Sequence, residues 1–316
     1  MLKIRENVSL ALYTNYKIGG PAKYFYETNN NEEIIEALDF ADKKNIPIFV
    51  LGGGTNILVS DRGFEGLVIK LHVSCPKLQE NNIIVGAGNL LSDVVSFAIK
   101  NDLQGLEWAA GIPGTIGGAV RGNAGAFGGE MKDVIKTVRC LDIEGKELVD
   151  FNKKELKFEY RSSFIKIKKS FIILSVELEL LKMINTEDSK IAKKNLVEYI
   201  KYRKDHHPLE YPSCGSVFKN VEARKIKKNK ELLENTKENI VPVALLIAKA
   251  GLIGKKIGNA QISEKHANFI VNLGNANGKD VLNLIKLCQK EVFDKFGAKI
   301  ELEVQLIGDF KLGIKD

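Results

Sequence analysis

The sequence predicts an α+β protein, in which strand–helix–strand units are mixed with hairpins. Three observations lead to this prediction. A helical pattern at residues 32–45 runs directly into a buried-strand pattern that ends in glycines, "IPIFVLGGGTN". Three strand-like segments follow one another between residues 135 and 180. A polar, helix-patterned stretch at 185–208 then separates this half from a second mixed half.

The individual elements follow from periodicity. Apolar residues recur at helical spacing in the first helix: Ile34, Ile35, Leu38, Phe40 and Ala41. Further helices are expected at 90–102, 185–208, 243–252 and 279–297. Strands are expected at 46–51, 66–71, 82–88, 135–142, 146–151, 170–180, 267–274 and 300–308. In the last helix one face is apolar (Val281, Leu284, Ile285, Cys288, Val292), and Gly297 is a plausible C-cap.

Composition and net charge limit the kinds of partner that we expect for this protein. The 316 residues carry a net charge of +7, which suits either a nucleic-acid partner or small polyanions such as nucleotides. The densest basic cluster, "RKIKKNK" at 224–230, has no aromatic neighbours, so we expect a solvated surface loop and no nucleic-acid site. No signal peptide or membrane-length apolar run is visible, which predicts a cytoplasmic protein without membrane insertion.

The cysteines predict neither a metal site nor a dithiol. Cys75, Cys140, Cys214 and Cys288 are far apart, and no C-x-x-C pair exists. We expect all four to be small buried apolar residues.

A first glycine loop, "LGGGTN", follows a predicted buried strand. Glycines there let backbone N–H groups approach a ligand, and successive N–H groups in one concavity bind phosphate. A tight turn is the alternative, and it accounts for one or two glycines only. The candidate cofactor-binding residues are Leu51, Gly52, Gly53, Gly54, Thr55 and Asn56. No P-loop motif exists, and "GAGNLL" at Gly86 is more typical of a turn than of a dinucleotide fingerprint.

A second segment, "GIPGTIGGAVRGNAGAFGGE", places eight glycines in twenty positions. Its backbone could lie flat against a large planar ligand, and its apolar residues argue against a flexible lid. With the first loop it suggests a dinucleotide with a diphosphate and an extended ring system. Its candidate cofactor-binding residues are Gly111, Pro113, Gly114, Thr115, Gly117, Gly118, Asn123, Ala124 and Gly125.

The chain resembles one family over most of its length. The segments "NYKIGGPA", "LGGGTNILVSDRGFEGLVIKL" and "GLEWAAGIPGTIGGAVRGNAGAFGGE" are similar to the flavin-binding half of the UDP-N-acetylenolpyruvoylglucosamine reductases. The second half is similar through "YRSSF", "PSCGSVFKN", "QISEKHANFIVN" and "ELEVQLIG". The resemblance implies two α/β subdomains of the vanillyl-alcohol-oxidase (PCMH) type, which bind FAD noncovalently within 1–185. It also implies a smaller α+β substrate domain at 186–316, whose C-terminal strand returns toward the FAD site.

The implied reaction is part of peptidoglycan precursor synthesis. NADPH reduces FAD, and the enolpyruvyl ether of UDP-N-acetylglucosamine then takes a hydride from flavin N5 to give UDP-N-acetylmuramate. By the same resemblance Arg161 holds the substrate carboxylate, Ser216 donates a proton, and a protonated Glu303 with a raised pKa donates a hydrogen bond. From the residues alone, Arg161 could be a surface arginine and Ser216 a turn serine. Only the motif phase selects Glu303 over Glu301.

Substrate contacts are assigned more broadly to Lys219, Asn220, Gln261 and His266, and each could equally be structural. Val221 stands where relatives often have proline, and the lysine-rich segment 221–241 is longer than usual. No tyrosine lid is apparent between Arg161 and Ser216. The expected partners are the UDP-sugar and NADPH, without an obligate protein partner. The alternatives are a sugar or alcohol oxidase of the same fold and a non-catalytic nucleotide-binding protein.

Overall fold

The computed structural model describes residues 2–229 and 239–310 and confirms the α+β class. The helices are α1 Asn31–Lys44, α2 Leu91–Lys100, α3 Ile116–Gly122, α4 Met131–Val134, α5 Phe164–Lys168, α6 Thr186–His206, α7 Val243–Lys249 and α8 Gly278–Phe296. The first ten strands are β1 Arg5–Ser9, β2 Pro21–Thr28, β3 Ile48–Leu51, β4 Ile57–Val59, β5 Phe64–Leu71, β6 Lys77–Gln79, β7 Asn82–Gly86, β8 Leu103–Gln104, β9 Gly125–Ala126 and β10 Gly129–Glu130. The others are β11 Ile135–Asp142, β12 Leu148–Asn152, β13 Phe171–Glu179, β14 Leu181–Lys182, β15 Val221–Glu222, β16 Ile240–Val241, β17 Lys256–Ile257, β18 Ala260–Ile262, β19 Ile270–Asn272 and β20 Gln305–Ile307.

The chain forms two compact units. The first contains the initial residues, Tyr24–Gly53 and Gly66–Asp205. The second contains Asn7–Lys23, Gly54–Glu65 and the chain from His206 onward. The boundary predicted at 185/186 therefore differs from the observed division, because α6 belongs to the first unit and two N-terminal segments belong to the second.

The first unit has two larger sheets, each covered by helices. One has the strand order β1-β2-β5-β3, with β3 and β5 parallel, and α1 packs Ile34, Leu38 and Ala41 against Leu67 and Ile69. The other has the order β12-β11-β13-β7-β6 and is antiparallel. Helices α2 and α3 bury their apolar sides in its core, which also contains Trp108. Both cores come from the apolar periodicity of their strands and helices.

The second unit is centred on α8. Its predicted apolar face is buried as expected, and Gly297 ends the helix in the left-handed conformation at φ 65°. The sheet β17-β18-β19 and the parallel pair β4/β20 lie in the same unit. Tyr16 is fully buried there and donates a hydrogen bond to the carbonyl oxygen of Ile270 at 2.8 Å.

Two predicted elements fold differently from expectation. The glycine-rich segment does not lie flat, because α3 occupies 116–122 and a hairpin, β9/β10, follows it. Glycine disfavours helix, so the pattern gave no sign of α3. The predicted strand at 300–308 is also shorter, since only Gln305–Ile307 is regular and Leu302 forms an isolated bridge with Phe218.

Smaller expectations have mixed outcomes. Cys140, Cys214 and Cys288 are buried as predicted, whereas Cys75 is exposed, so the prediction for Cys75 was wrong. The segment after Gly86 is a turn, as expected. Of the basic cluster at 224–230, only the last residue lies outside the described residues, and Ile226 is buried within it. None of the described helices combines the length and apolarity that a membrane span requires.

Candidate functional site

The two predicted glycine segments meet in the first unit. A Cβ atom on Gly53 would lie 2.7 Å from the Cα of Gly114, and one on Gly52 would lie 2.7 Å from Oγ1 of Thr115. Only glycine allows two chain segments to approach this closely. The contact forms a surface almost free of side chains, on which Gly53, Gly118, Gly111 and Pro113 are exposed.

The hydrogen bonds of this surface show which N–H groups a ligand can reach. Three groups at the start of α3 are already used inside the protein. The Ile116 and Gly117 N–H groups donate to the carbonyl oxygens of Asn89 and Ala87 at 2.8 and 3.0 Å, and the Gly118 N–H donates to Thr115 Oγ1 at 3.3 Å. The Gly53 N–H, in contrast, has no acceptor among the described residues. A phosphate oxygen at this cradle would therefore be bound by the glycine loop rather than by the helix.

The remaining residues of the first loop divide between the units. Leu51 is buried at the end of β3. Gly54 belongs to the second unit, where a Cβ would lie 2.0 Å from the Tyr13 carbonyl oxygen. Thr55 is half-buried, and the Asn56 side chain is exposed and donates to the Glu303 carbonyl oxygen at 3.2 Å. Packing against neighbouring chain segments thus requires glycine at all three positions, whereas a tight turn would require it at only one or two.

Three predicted cofactor residues in the second segment have structural contacts. Asn123 is fully buried, and its amide nitrogen donates to Glu130 at 2.6 Å and to the Glu159 carbonyl oxygen at 3.0 Å. Ala124 is half-buried, with its N–H bonded to the Ala119 carbonyl oxygen at 2.8 Å. Gly117 packs on Ala87, where a Cβ would lie 2.8 Å from the Ala87 Cβ. Asn123 is therefore a support for neighbouring segments, with no amide group left for a ligand.

Arg161 lies in a tight turn of the first unit. Glu159 and Ser162 exchange two backbone hydrogen bonds of 3.1 Å, which leaves Tyr160 and Arg161 as the turn residues. Arg161 has φ 55°, a left-handed conformation that costs a non-glycine residue about 1 kcal/mol. Its guanidinium donates to the Gly125 carbonyl oxygen at 2.8 Å. Backbone strain combined with a fixed cation is typical of a functional position.

Ser216 lies at an open position of the second unit. It is half-buried, and its hydroxyl has no hydrogen-bond partner among the described residues. Gly215 before it has φ 77° and no atom within 4 Å of a built Cβ. The next residue is fixed, since the Val217 N–H donates to the Asn268 carbonyl oxygen at 2.9 Å. Ser213, the alternative serine, is buried, and its carbonyl oxygen accepts from Asn15 at 2.9 Å.

Glu303 lies on the segment that pairs with the serine segment. Its N–H donates to the Val217 carbonyl oxygen at 2.8 Å, and its side chain is close enough to Cys214 for its charge to raise the pKa of that thiol. Burial is the larger cause of the Cys214 shift, to about 12. The second unit thus brings Ser216 and Glu303 onto adjacent segments.

Glu301 has a different environment. It is exposed and forms ion pairs with Lys219 at 3.4 Å and Lys225 at 3.7 Å. Lys219, a predicted substrate contact, is thus held beside Glu301 rather than free.

The other predicted substrate residues have partners in the protein. Asn220 accepts the Val243 N–H at 3.2 Å, at the start of α7. Gln261 is buried and donates to the Gly254 carbonyl oxygen at 3.2 Å. His266 accepts the Asn268 N–H on Nδ1 at 3.3 Å, and burial lowers its pKa. A neutral imidazole is required for that acceptor role.

Sequence reasoning missed one cation near these residues. Arg203, near the end of α6, donates from Nε to the Ala110 carbonyl oxygen at 3.0 Å beside the glycine-rich segment. It lies 42 positions after Arg161 in a lysine-rich polar helix, so its sequence context resembles that of a surface residue.

Two protein families match different parts of the chain. Residues 22–150 match the family described as FAD binding domain. Residues 207–307 match the family described as UDP-N-acetylenolpyruvoylglucosamine reductase, C-terminal domain. Together the two matches include most of the residues discussed above.

Relatives of that name match along almost the whole chain. The UDP-N-acetylenolpyruvoylglucosamine reductase of Clostridium novyi is 37% identical over 97% of this chain and 93% of its own length. That of Caldicellulosiruptor bescii is 41% identical over 95% and 89%. The crystal structure of the Thermus caldophilus reductase is 31% identical, covers 98% and 100% of the two chains, and superposes with a TM-score of 0.77. The chain therefore belongs to the UDP-N-acetylenolpyruvoylglucosamine reductase family of FAD-dependent oxidoreductases.

Proposed function

We propose that the protein reduces the enolpyruvyl ether of UDP-N-acetylglucosamine to UDP-N-acetylmuramate, a peptidoglycan precursor, with NADPH as the electron donor. The observation that carries this proposal is the pairing of the Ser216 segment with the Glu303 segment. It puts a hydroxyl that has no hydrogen-bond partner among the described residues and a half-buried carboxyl on adjacent chain segments. The full-length match to reductases of that name supports it.

The glycine surface fits the diphosphate of FAD. Gly52 and Gly53 approach Gly114 and Thr115 too closely for any Cβ, and the exposed Gly53 N–H is available as a donor. We infer that Gly53 holds a cofactor phosphate, while Gly111–Gly118 supplies the wall beside it. Bound FAD would supply the hydride-transfer chemistry.

Arg161 is proposed to bind the substrate carboxylate. Addition of hydride to the terminal alkene carbon moves negative charge toward that carboxylate, so a permanently charged guanidinium stabilises the product of this step. The turn at Tyr160–Arg161 and the bond to Gly125 hold the cation before substrate arrives. Preorganisation of this kind avoids reorganisation during the reaction.

Ser216 and Glu303 are proposed to complete the reduction. The Ser216 hydroxyl transfers its proton to the carbon next to the one that receives hydride, which balances the addition of two hydrogens across the double bond. Glu303, protonated in the complex, donates a hydrogen bond to the dianion. A charged carboxylate there would repel it.

An anaerobic titration tests this function. The purified holoenzyme should lose its flavin absorbance when NADPH is added and regain it when the enolpyruvyl sugar nucleotide is added. Recovery by oxygen alone would indicate an oxidase. Purified protein that contains no flavin and takes none up would contradict the proposal.

A further inference from the structure

Arg203 has the features of a ligand-binding arginine rather than a surface arginine. Its side chain is half-buried against the glycine-rich segment, where a Cβ on Gly111 would lie 2.8 Å from Arg203 Cδ. The Nε group donates to the Ala110 carbonyl oxygen at 3.0 Å. No ion pair joins this guanidinium to a carboxylate within the described part of the chain.

An aromatic cluster fixes the direction of this guanidinium. Its carbon lies 5.4 Å from the centre of the Phe127 ring, and Phe127 stacks on Tyr199 with centroids 4.1 Å apart and planes at 10°. Phe127 and Gly128 are the two turn residues of the hairpin β9/β10, at φ 51° and 87°. A phenylalanine in the left-handed conformation is unusual, and its stacking on α6 offsets that strain.

The same hairpin also holds Arg161. The Arg161 guanidinium bonds the Gly125 carbonyl oxygen at the start of the hairpin, and Arg203 lies over the ring at its tip. The two positive charges are close enough to act on each other. Burial first, and the charge of Arg161 second, lower the pKa of Arg203. Two guanidinium groups held against one short hairpin repel each other, and an anion bound by both would offset that cost.

We propose that Arg203 and Arg161 together form one oxyanion site for the sugar-nucleotide substrate, with Arg203 as its second cation. This inference rests on the function proposed above. The oxyanion has two possible sources, the enolpyruvyl carboxylate and the diphosphate, and both are ligands that paired arginines bind well. The carboxylate would gain most, because the charge it carries grows to two during the reduction.

The test compares Arg203→Gln, Arg203→Lys and Lys194→Gln in the FAD-loaded enzyme. Lys194 is an exposed cation on the same helix, and its replacement is the matched control for loss of one charge. Ligand affinity is measured from the change in flavin absorbance for the enolpyruvyl sugar nucleotide and for UDP-N-acetylglucosamine, which lacks the carboxylate. Inorganic sulfate is added as a competing oxyanion.

We expect Arg203→Gln to retain FAD and to bind the enolpyruvyl substrate roughly 30-fold more weakly or worse. Arg203→Lys should lose less, and Lys194→Gln should match the wild type. Sulfate should compete in the wild type and much less in Arg203→Gln, a difference that a purely structural arginine would not produce. If both ligands bind more weakly, the site binds the diphosphate. If only the enolpyruvyl ligand binds more weakly, the site binds the carboxylate.

Unchanged binding and unchanged sulfate competition in a folded Arg203→Gln protein would overturn the inference. Loss of FAD from Arg203→Gln, with normal substrate binding after reconstitution, would also overturn the inference, because Arg203 would then be a cofactor-binding residue. If the wild type itself is not reoxidised by the enolpyruvyl substrate, the proposed function fails instead.

Discussion

At the scale of single residues, Glu303 and Glu301 are two positions apart but lie in different electrostatic environments. Glu301 is exposed between two lysines, whereas Glu303 is half-buried and its charge acts on Cys214. The exposed ion pairs of Glu301 contribute little to stability or chemistry because water screens them. A functional carboxyl belongs to the second kind of environment.

We predict that Glu303→Ala slows flavin reoxidation by the enolpyruvyl substrate by about 100-fold, because removal of one donor to a developing anion has that order of cost. Glu303→Gln, whose amide still donates a hydrogen bond, should lose less. Glu301→Gln should change the rate by less than about two-fold. Stopped-flow absorbance on the NADPH-reduced enzymes measures these rates. Full turnover by Glu303→Gln would rule out a required carboxyl.

His266 gives a pH-dependent prediction. Burial lowers its pKa below the ordinary value of 6.5, and its Nδ1 accepts the Asn268 N–H, so the native state favours neutral imidazole. Stability from this group is present above pH 6.5 and is lost as the pH falls through the lowered native pKa, because the unfolded chain binds the proton more strongly.

Urea unfolding between pH 7 and 5 checks the sign of this effect. The free energy of unfolding should fall more steeply toward low pH in the wild type than in His266→Gln, whose amide can still accept the backbone hydrogen bond. Parallel curves for the two proteins would show that folding leaves the pKa of His266 unchanged.

The sequence predicted which residues form the site more readily than it predicted their burial and their hydrogen-bond partners. The motifs selected Ser216 and Glu303, but only the structure shows that the Ser216 hydroxyl has no partner in the described part of the chain while Ser213 is buried. Asn123 was predicted to bind the cofactor. Its observed acceptor, the Glu159 carbonyl oxygen, is 36 positions away in sequence, so the local sequence did not indicate this structural role. Such pairings depend on tertiary contacts that no local pattern carries.

At the scale of elements, the glycine segments serve chain packing and ligand access together. Gly117 and Gly129 pack against Ala87 and Trp108, while Gly53 is exposed. The glycine count therefore predicted a close approach correctly but did not distinguish approach to a ligand from approach to another segment. It also concealed α3, since the Thr115 cap and the packing of Gly117 override low helix propensity.

We predict that Gly53→Ala weakens FAD retention and lowers the free energy of unfolding by about 1–3 kcal/mol, because its methyl group meets the Gly114 backbone. Gly122→Ala is the matched control, as no atom lies within 4 Å of its built Cβ. Flavin absorbance after gel filtration and urea unfolding measure the two effects. Equal FAD content in the two variants would contradict the role of the Gly53 cradle.

At the scale of the whole molecule, the chain enters each compact unit more than once. Residues 7–23 and 54–65 belong to the second unit although they precede most of the first. The helices and strands that periodicity predicted are present, although many short strands were not predicted. A domain boundary read along the sequence could not show these crossings. The parallel pair β4/β20 joins residues about 250 positions apart, for example Leu58 and Leu306.

Both units contain buried cysteines, so thiol labelling can measure the opening of each unit. Burial raises the pKa values of Cys140 in the first unit and Cys288 in the second to about 12. Cys75 is exposed. We expect a thiol reagent at pH 8 to label one cysteine in the native protein, Cys75, and all four in urea, as counted by mass spectrometry. Labelling of Cys140 or Cys288 in the native protein would show that its unit opens readily.

Ser216 is proposed to supply the proton in a reduction whose cofactor is held by the glycine loops. Stopped-flow measurement of both half-reactions in Ser216→Ala, beside Ser213→Ala, tests it most directly. We expect NADPH to reduce the flavin of Ser216→Ala at the wild-type rate, while reoxidation by the enolpyruvyl sugar nucleotide slows by about 100-fold or more. Reoxidation of Ser216→Ala as fast as that of the wild type would contradict it.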